Sequence, residues 1–320
     1  MDLVLQLVLV LCLCILYQKV DARNHNQQKR FQRSSGSREL ESVLLTRDSE
    51  FDCIDIYKQP AFQNPLLKNH KIQLATLDTN QNTTYHGGYA KMNICNVTGV
   101  HPFQYSLSQI YAQSGPPAQL DVIQAGFGVA PEIYGDNRLR IIAYWKGKGK
   151  PGCFNILCPG FIQVDRVHGF GSTVNPVSQI GGNSQYYMEI HVEQDKKSGN
   201  WWLILDNFVK FGYWPKELFG HLNNGASMIR FGGEAAAPLD KPSPPMGTGK
   251  LPQAGYKNAC TFYGLRIMDS GFTIQDINPR DMKIYLDTSP NFYDLRYQGY
   301  MGRHFREAFL YGGPGGQYGV

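Results

Sequence analysis

Beyond about residue 100 the apolar positions recur with the short period of strands rather than with a helical repeat. The stretches 138–145, 161–167, 186–192, 201–211, 226–231, 261–268 and 281–286 are rich in β-branched and aromatic residues and are separated by turn residues, which predicts strands. In the last of these Met282, Ile284 and Leu286 alternate with Lys283 and Tyr285, the period of a strand buried on one face. One helical signal stands out at 215–225, with Pro at its start, Gly past its end, and Leu218, Phe219 and Leu222 on one side; a short helix is expected there. The chain therefore reads as all-β, with an antiparallel β-sandwich spanning about 99–320 as the natural architecture.

The first hundred residues read differently. The apolar run at 3–16, followed by Val20-Asp21-Ala22, has the length and ending of a secretory signal peptide over 1–22. It is shorter than the ~20 residues a spanning helix needs, so no membrane association is expected once it is removed. Residues 23–50 are polar, charged and short of aromatics, the composition of a flexible leader. Over 51–98 short apolar runs alternate with turn residues, which reads as a small irregular module.

Charge narrows the choice of partner. The formal net charge of +5 becomes +6 when Lys19, Asp2 and Asp21 are removed with 1–22 (5 − 1 + 2). The basic residues are densest between Arg23 and Arg47 and do not line a face interleaved with aromatics, which argues against nucleic-acid binding.

Of the seven cysteines, Cys53, Cys95, Cys153, Cys158 and Cys260 lie beyond residue 22; in an oxidising compartment an odd number leaves one over. Cys153 and Cys158 are spaced for a tight loop-closing bridge. No second Cys/His pair with ligand spacing follows, so zinc is not expected, and no Gly-rich phosphate loop leads into a helix, so no cofactor is expected. Asn82-Thr-Thr and Asn96-Val-Thr are glycosylation acceptors by sequence.

Two polar residues within Gly/aromatic blocks carry the candidate chemistry. If 122–127 is a strand, Ile123, Ala125 and Phe127 face the core and Gln124 faces the other way. Glu234 shares a face with Met228 and Arg230, unless Gly232-Gly233 forms a bulge that shifts the parity. The pair either faces a shared cleft or is ordinary exposed polarity on a strand face.

Glu189, His191 and Glu193 alternate along another strand, which suits a metal site or, more simply, a solvated face. His168 and His221 lack a nucleophile motif. Trp201-Trp202 and Tyr213-Trp214 either stack on sugar or proline rings or belong to the core. The Pro- and Gly-rich stretch 235–255 reads as a long loop, either ordered or lid-like.

Several blocks in order resemble the plant neprosin family: Phe51-Asp-Cys-Ile-Asp-Ile-Tyr-Lys-Gln-Pro-Ala-Phe62 and Pro65-Leu-Leu-Lys-Asn-His70, then Tyr134-Gly-Asp136, 153–161, Trp201-Trp202, Gly212-Tyr-Trp-Pro215, Phe231-Gly-Gly-Glu234 and Met246-Gly-Thr-Gly249. That resemblance implies a glutamic peptidase precursor, with an activation segment over 51–98 covering a β-sandwich catalytic domain over 99–320, and cleavage after proline.

Two Glu side chains act in that family. Glu234 falls on the second position and Gln124 on the first, so the chain departs from the Glu/Glu pattern. A Gln/Glu pair is known from the eqolisins, another glutamic peptidase group. By that analogy Glu234 acts as base and Gln124 donates to the oxyanion. A Glu near its ordinary pKa of about 4.3 implies an acidic optimum.

The resemblance also implies bridges Cys53–Cys95 and Cys153–Cys158 with Cys260 free. Relatives carry a Cys near position 292, and another near the chain end, where this chain has Phe292 and Gly-Gly-Gln-Tyr-Gly-Val320. The expected setting is secreted, in the apoplast or cell wall, with the chain's own activation segment and proline-containing proteins as partners. A binding-only sandwich that holds wall protein or polysaccharide through its aromatics is the alternative from another class. A two-carboxylate glycosidase ranks below both, because no second carboxylate is placed opposite Glu234.

Overall fold

The computed structural model describes residues 44–46, 70–80, 83–206 and 209–317. Its strands, in chain order, are β1 (Leu44–Thr46), β2 (His70–Thr79), β3 (Gly87–Asn93), β4 (Tyr105–Ser114), β5 (Asp121–Val129), β6 (Arg140–Lys146), β7 (Cys153–Phe154), β8 (Ile162–Gln163) and β9 (Thr173–Asn175). They continue with β10 (Tyr187–Gln194), β11 (Trp201–Leu205), β12 (Val209–Trp214), β13 (Met228–Pro238), β14 (Cys260–Met268), β15 (Ile274–Asp276), β16 (Met282–Leu286), β17 (Asp294–Tyr300) and β18 (Glu307–Gly312).

One sheet runs β1-β9-β6-β5-β4-β13-β2-β16, with β7 on β6; the other runs β17-β18-β14-β3-β10-β11-β12-β8, with β15 on β14. These strands pair antiparallel. The two sheets face each other across one core. Ile110, Ile123, Ala125 and Phe127 enter it from the first sheet, and Met188, Ile190, Val192, Trp201, Leu203 and Phe211 from the second, all fully buried. At about 1.5–3 kcal/mol for each large side chain removed from water, this shared core holds the sandwich together.

The expected sandwich is present, and its details depart from the sequence reading in several places. The stretch 51–98 is not an irregular module throughout. β2 lies between β13 and β16, and β3 lies between β14 and β10, so residues from His70 onward belong to both sheets. Within the expected flexible leader, β1 pairs with β9, Leu45 opposite Val174. The signal peptide, Cys53 and Asn82 lie outside the described residues. Among the described residues no helix is long and apolar enough to cross a membrane.

The expected strand 201–211 is a hairpin, β11 reversing into β12 with Leu205 opposite Val209. Strand 161–167 shortens to β8, because the Asp165 carboxylate accepts from the backbone of Val167 at 2.9 Å and also from His168, closing a turn. The expected helix 215–225 is two 3₁₀ turns, Lys216–Leu218 and Leu222–Asn224. Between them the fully buried Asp121 carboxylate captures the backbone NH groups of His221 and Leu222, which competes with helical bonding.

The disulfide pairing also differs. Cys153 and Cys158 are bridged as expected, but Cys95 pairs with Cys260 and not with Cys53. β3 lies beside β14, which brings the two partners within 6.0 Å at Cα, so Cys260 is not the free thiol.

Of the two forms expected for 235–255, the ordered one is present. Residues 235–238 complete β13. Beyond them Ser243 and Met246 bridge to Gly316 and Gly313, and the Gln104 amide donates to the Pro242 carbonyl at 2.7 Å. The Phe292 ring packs on Gly316 so closely that a Cβ at Gly316 would come within 2.5 Å of it.

Candidate active site

The outward face of the first sheet carries a row of polar side chains set by strand register. Tyr144 of β6, Gln124 of β5, Tyr111 of β4, Arg230 of β13 and Asp78 of β2 stand opposite one another in turn. Two residues along, Gln109 faces Gly232 and Thr76. Two further along, Glu234 stands between Leu107 and Leu74. Pairing of β13 with both neighbours is continuous from Arg230 to Ala236, so Gly232-Gly233 is no bulge and Glu234 keeps the parity of Arg230.

Glu234 is only 4% exposed. Tyr105 donates to its Oε1 at 2.8 Å and Tyr111 to its Oε2 at 2.8 Å. The amides of Gln109 and Gln124 each reach Oε2 at 3.4 Å. The structure thus brings Gln124 and Glu234 together, as their strand positions allowed.

Burial pushes the Glu234 carboxyl above its usual range; the bonds from Tyr105 and Tyr111 and the charge of Arg230 oppose this, while Asp287 adds to it. Glu234 is therefore not left at the ordinary value expected from sequence, because desolvation raises it without a second Glu at position 124. Burial and the Glu234 charge drive both phenols well above the usual tyrosine range, so they remain hydrogen-bond donors. Arg230 is tied to Asp78 at 2.7 Å. Burial raises Asp78 despite that partner.

The strands close to Glu234 run near one another. Gly126 and Gly128 on β5 share its face without a side chain, and β5 runs so near β4 that a Cβ at Gly126 would lie 1.9 Å from the Ser108 carbonyl. Tyr105, Phe154 and Tyr144 form an aromatic wall, with ring centroids 6.1 Å and 5.1 Å apart in sequence.

Other candidates fall elsewhere. Trp201 and Trp214 are fully buried core residues. Trp202 and Tyr213 pair with rings 4.8 Å apart, and all four belong to the second sheet, so the structure does not bring them beside Glu234. Glu189 and His191 are neither a metal site nor a solvated face. Both are buried, Glu189 meets His191 at 3.0 Å and Arg266 at 2.5 Å, and among the described residues no group of three acidic, His or Cys side chains is placed to hold a metal.

His168 bonds Asp165. His221 lines an open cavity of about 350 Å³ with Thr83, Thr84 and Asn224. That cavity includes neither Glu234 nor Gln124. Asn96 is exposed.

Sequence reasoning missed Tyr105, Gln109 and Tyr111. Their signal was the alternation 105-107-109-111, legible only once β4 is recognised as a strand.

The sequence model of the Neprosin family matches residues 102–314. The chain belongs to the Neprosin family. Membership supports a peptidase of the glutamic type. This Neprosin-family chain is also similar to a crystal structure of scytalido-glutamic peptidase with a transition-state analogue inhibitor, at 11% identity and a TM-score of 0.41, over 75% of this chain and 96% of that one. A second structure of that peptidase, with a peptide-based transition-state analogue, matches at 10% identity and a TM-score of 0.39, over 77% and 97%.

Proposed function

We propose that this chain is the precursor of a secreted, acid-active glutamic endopeptidase that cuts after proline, with Glu234 as general base and Gln124 as oxyanion donor. The observation that carries the reading is a single buried carboxylate, Glu234, met by two tyrosine hydroxyls and by the Gln124 amide. Ionised Glu234 takes a proton from water as the water oxygen attacks the peptide carbonyl. The carbonyl electron pair moves onto oxygen, where the Gln124 amide donates. Protonated Glu234 then returns its proton to the departing amine nitrogen as the C–N bond breaks. Gln124 never exchanges a proton, so a Gln/Glu pair suffices for this sequence; one such donor contributes about 2.7–4 kcal/mol to the transition state.

The aromatic wall of Tyr105, Phe154 and Tyr144 near Glu234 suits a proline ring. Secretion is compatible with two disulfides among the described residues and persistence of such bonds in oxidising compartments. An activation segment that is removed would have to end before His70, since β2 and β3 belong to the sheets. The binding-only alternative rests on two aromatics rather than four, because Trp201 and Trp214 are buried.

Cleavage-site mapping on a mixed peptide library tests the specificity. New carboxyl termini at proline are expected; cuts spread evenly over residue types would contradict it.

A further inference from the structure

Beside Glu234 lies a buried amide oxygen, that of Gln109, with no protein partner. Gln109 is fully buried on β4. Its Nε2 donates to the Tyr111 hydroxyl at 3.0 Å and reaches Glu234 Oε2 at 3.4 Å. A carboxylate oxygen only accepts, and the Tyr111 hydroxyl already directs its proton to Glu234, so both neighbours require a donor. The amide nitrogen must therefore face them, which fixes the orientation of Gln109. Its Oε1 is buried and without a protein partner.

An acceptor left in that state costs about 1–3 kcal/mol, and bridging water is the usual remedy in a polar site with room for it. Gln109 stands opposite Gly232, which sets no side chain beside it, although β2 runs so close that a Cβ there would lie 2.3 Å from the Ala75 carbonyl. Across Gly232, Thr76 is fully buried and its hydroxyl makes no full hydrogen bond, although it lies near enough to Asp78 to favour that carboxylate. Glu234 is the next residue on the same face of β13.

We propose that Gln109 holds the hydrolytic water, its Oε1 accepting one hydrogen while Glu234 accepts the other. This rests on the peptidase reading above and divides the work between two amides, with Gln109 orienting the water and Gln124 receiving the oxyanion. In the attack the water O–H bond directed at Glu234 breaks and the O–C bond forms. The hydrogen bonded to Gln109 stays on the attacking oxygen. Gln109 neither gains nor loses a proton, so its whole contribution is the direction of the oxygen lone pair, and misplacement by about 1 Å costs on the order of 100-fold in rate.

The test combines a high-resolution crystal structure of the full chain with the variant Gln109→Met, which keeps the length of the side chain and removes both polar atoms. Expected are a water within hydrogen-bond distance of both Gln109 Oε1 and a Glu234 oxygen, its loss in the variant, and a kcat lowered about 100-fold with KM changed less than about threefold. A wild-type structure in which Oε1 bonds a protein donor, or a variant that keeps both water and kcat, overturns the proposal.

Should the wild-type chain cut no peptide, the peptidase reading fails, and the proposed role of Gln109 in hydrolysis is overturned with it; the bridging water, if seen, would then stand only as a structural one. Should Gln109→Met fail to fold, the water in the wild-type structure and the kcat of Gln109→Asn, which withdraws the oxygen by one methylene, decide the matter in the same two directions.

Discussion

The hydroxyl of Tyr111 donates to Oε2 of Glu234 at 2.8 Å from the neighbouring strand, closer than the Gln124 amide, which reaches the same oxygen at 3.4 Å. The phenols of Tyr111 and Tyr105 thus hold the carboxylate, and Gln124 is left half free to meet a substrate. Tyr111→Phe removes a donor to a buried charge, worth about 1.5–3 kcal/mol. The variant is expected to lose that much stability at neutral pH and to shift the acid limb of kcat/KM to higher pH, because the Glu234 anion is less well supported. A pH–rate profile with an unmoved acid limb would contradict the assigned role of Tyr111.

Stability should depend on Glu234 in a defined direction. Its folded-state pKa lies above the ordinary 4.5, chiefly through burial, so the folded protein holds this proton more tightly than the unfolded chain. The cost of the buried anion is fully present above the raised pKa and vanishes as pH falls below 4.5. Glu234→Gln is therefore expected to raise Tm at about pH 7 and to give little gain below 4.5, alongside loss of activity. A lower Tm for the variant at neutral pH would refute the burial-driven shift.

How much of this was legible beforehand depended on which faces of a strand are buried. The stretches 261–268, 186–192 and 201–211 read as strands because their apolar runs face a core. β4, Tyr-Ser-Leu-Ser-Gln-Ile-Tyr-Ala-Gln-Ser, did not, since its core-facing side begins with Ser106 and Ser108 while Tyr105, Leu107, Gln109 and Tyr111 line the outer face, and both sides are buried. The usual polar/apolar contrast is lost there. β3 hides similarly behind Gly87-Gly88, where Gly88 admits the side chains of Ile229 and Ile110.

Gln124 and Glu234 were legible as lone polar residues in apolar blocks. Their phenolic and amide neighbours were not, because cross-strand partners are set by register, which no local pattern in β4 announces.

The bridge between Cys95 and Cys260 closes a separation of 165 residues, and that between Cys153 and Cys158 one of 5. By the loop-length argument, Cys260→Ser should destabilise by about 2–5 kcal/mol and Cys158→Ser by about 2. In protein lacking residues 1–22, alkylation under denaturing, non-reducing conditions followed by peptide mapping is expected to label Cys53. Label on Cys260 would restore the pairing that the family resemblance implied.

Removal of 51–98 as a unit should destroy the fold. A chain beginning at residue 70 keeps β2 and β3 and is expected to show the circular dichroism of the parent sandwich. A chain beginning at 99 loses a strand from inside each sheet and should fail to fold. Cooperative unfolding of the shorter chain would contradict the placement of those strands.

The central claim, that Glu234 and Gln124 form a working peptidase site, is tested most directly by incubating acid-treated, purified protein with a proline-containing peptide between about pH 3 and 8, a range that brackets the ordinary Glu pKa and extends above it because burial raises Glu234, beside Glu234→Gln. Cleavage by the parent that disappears in the variant is the predicted result. Correctly folded parent protein that leaves the peptide intact, or cleavage that survives in the variant, would contradict it.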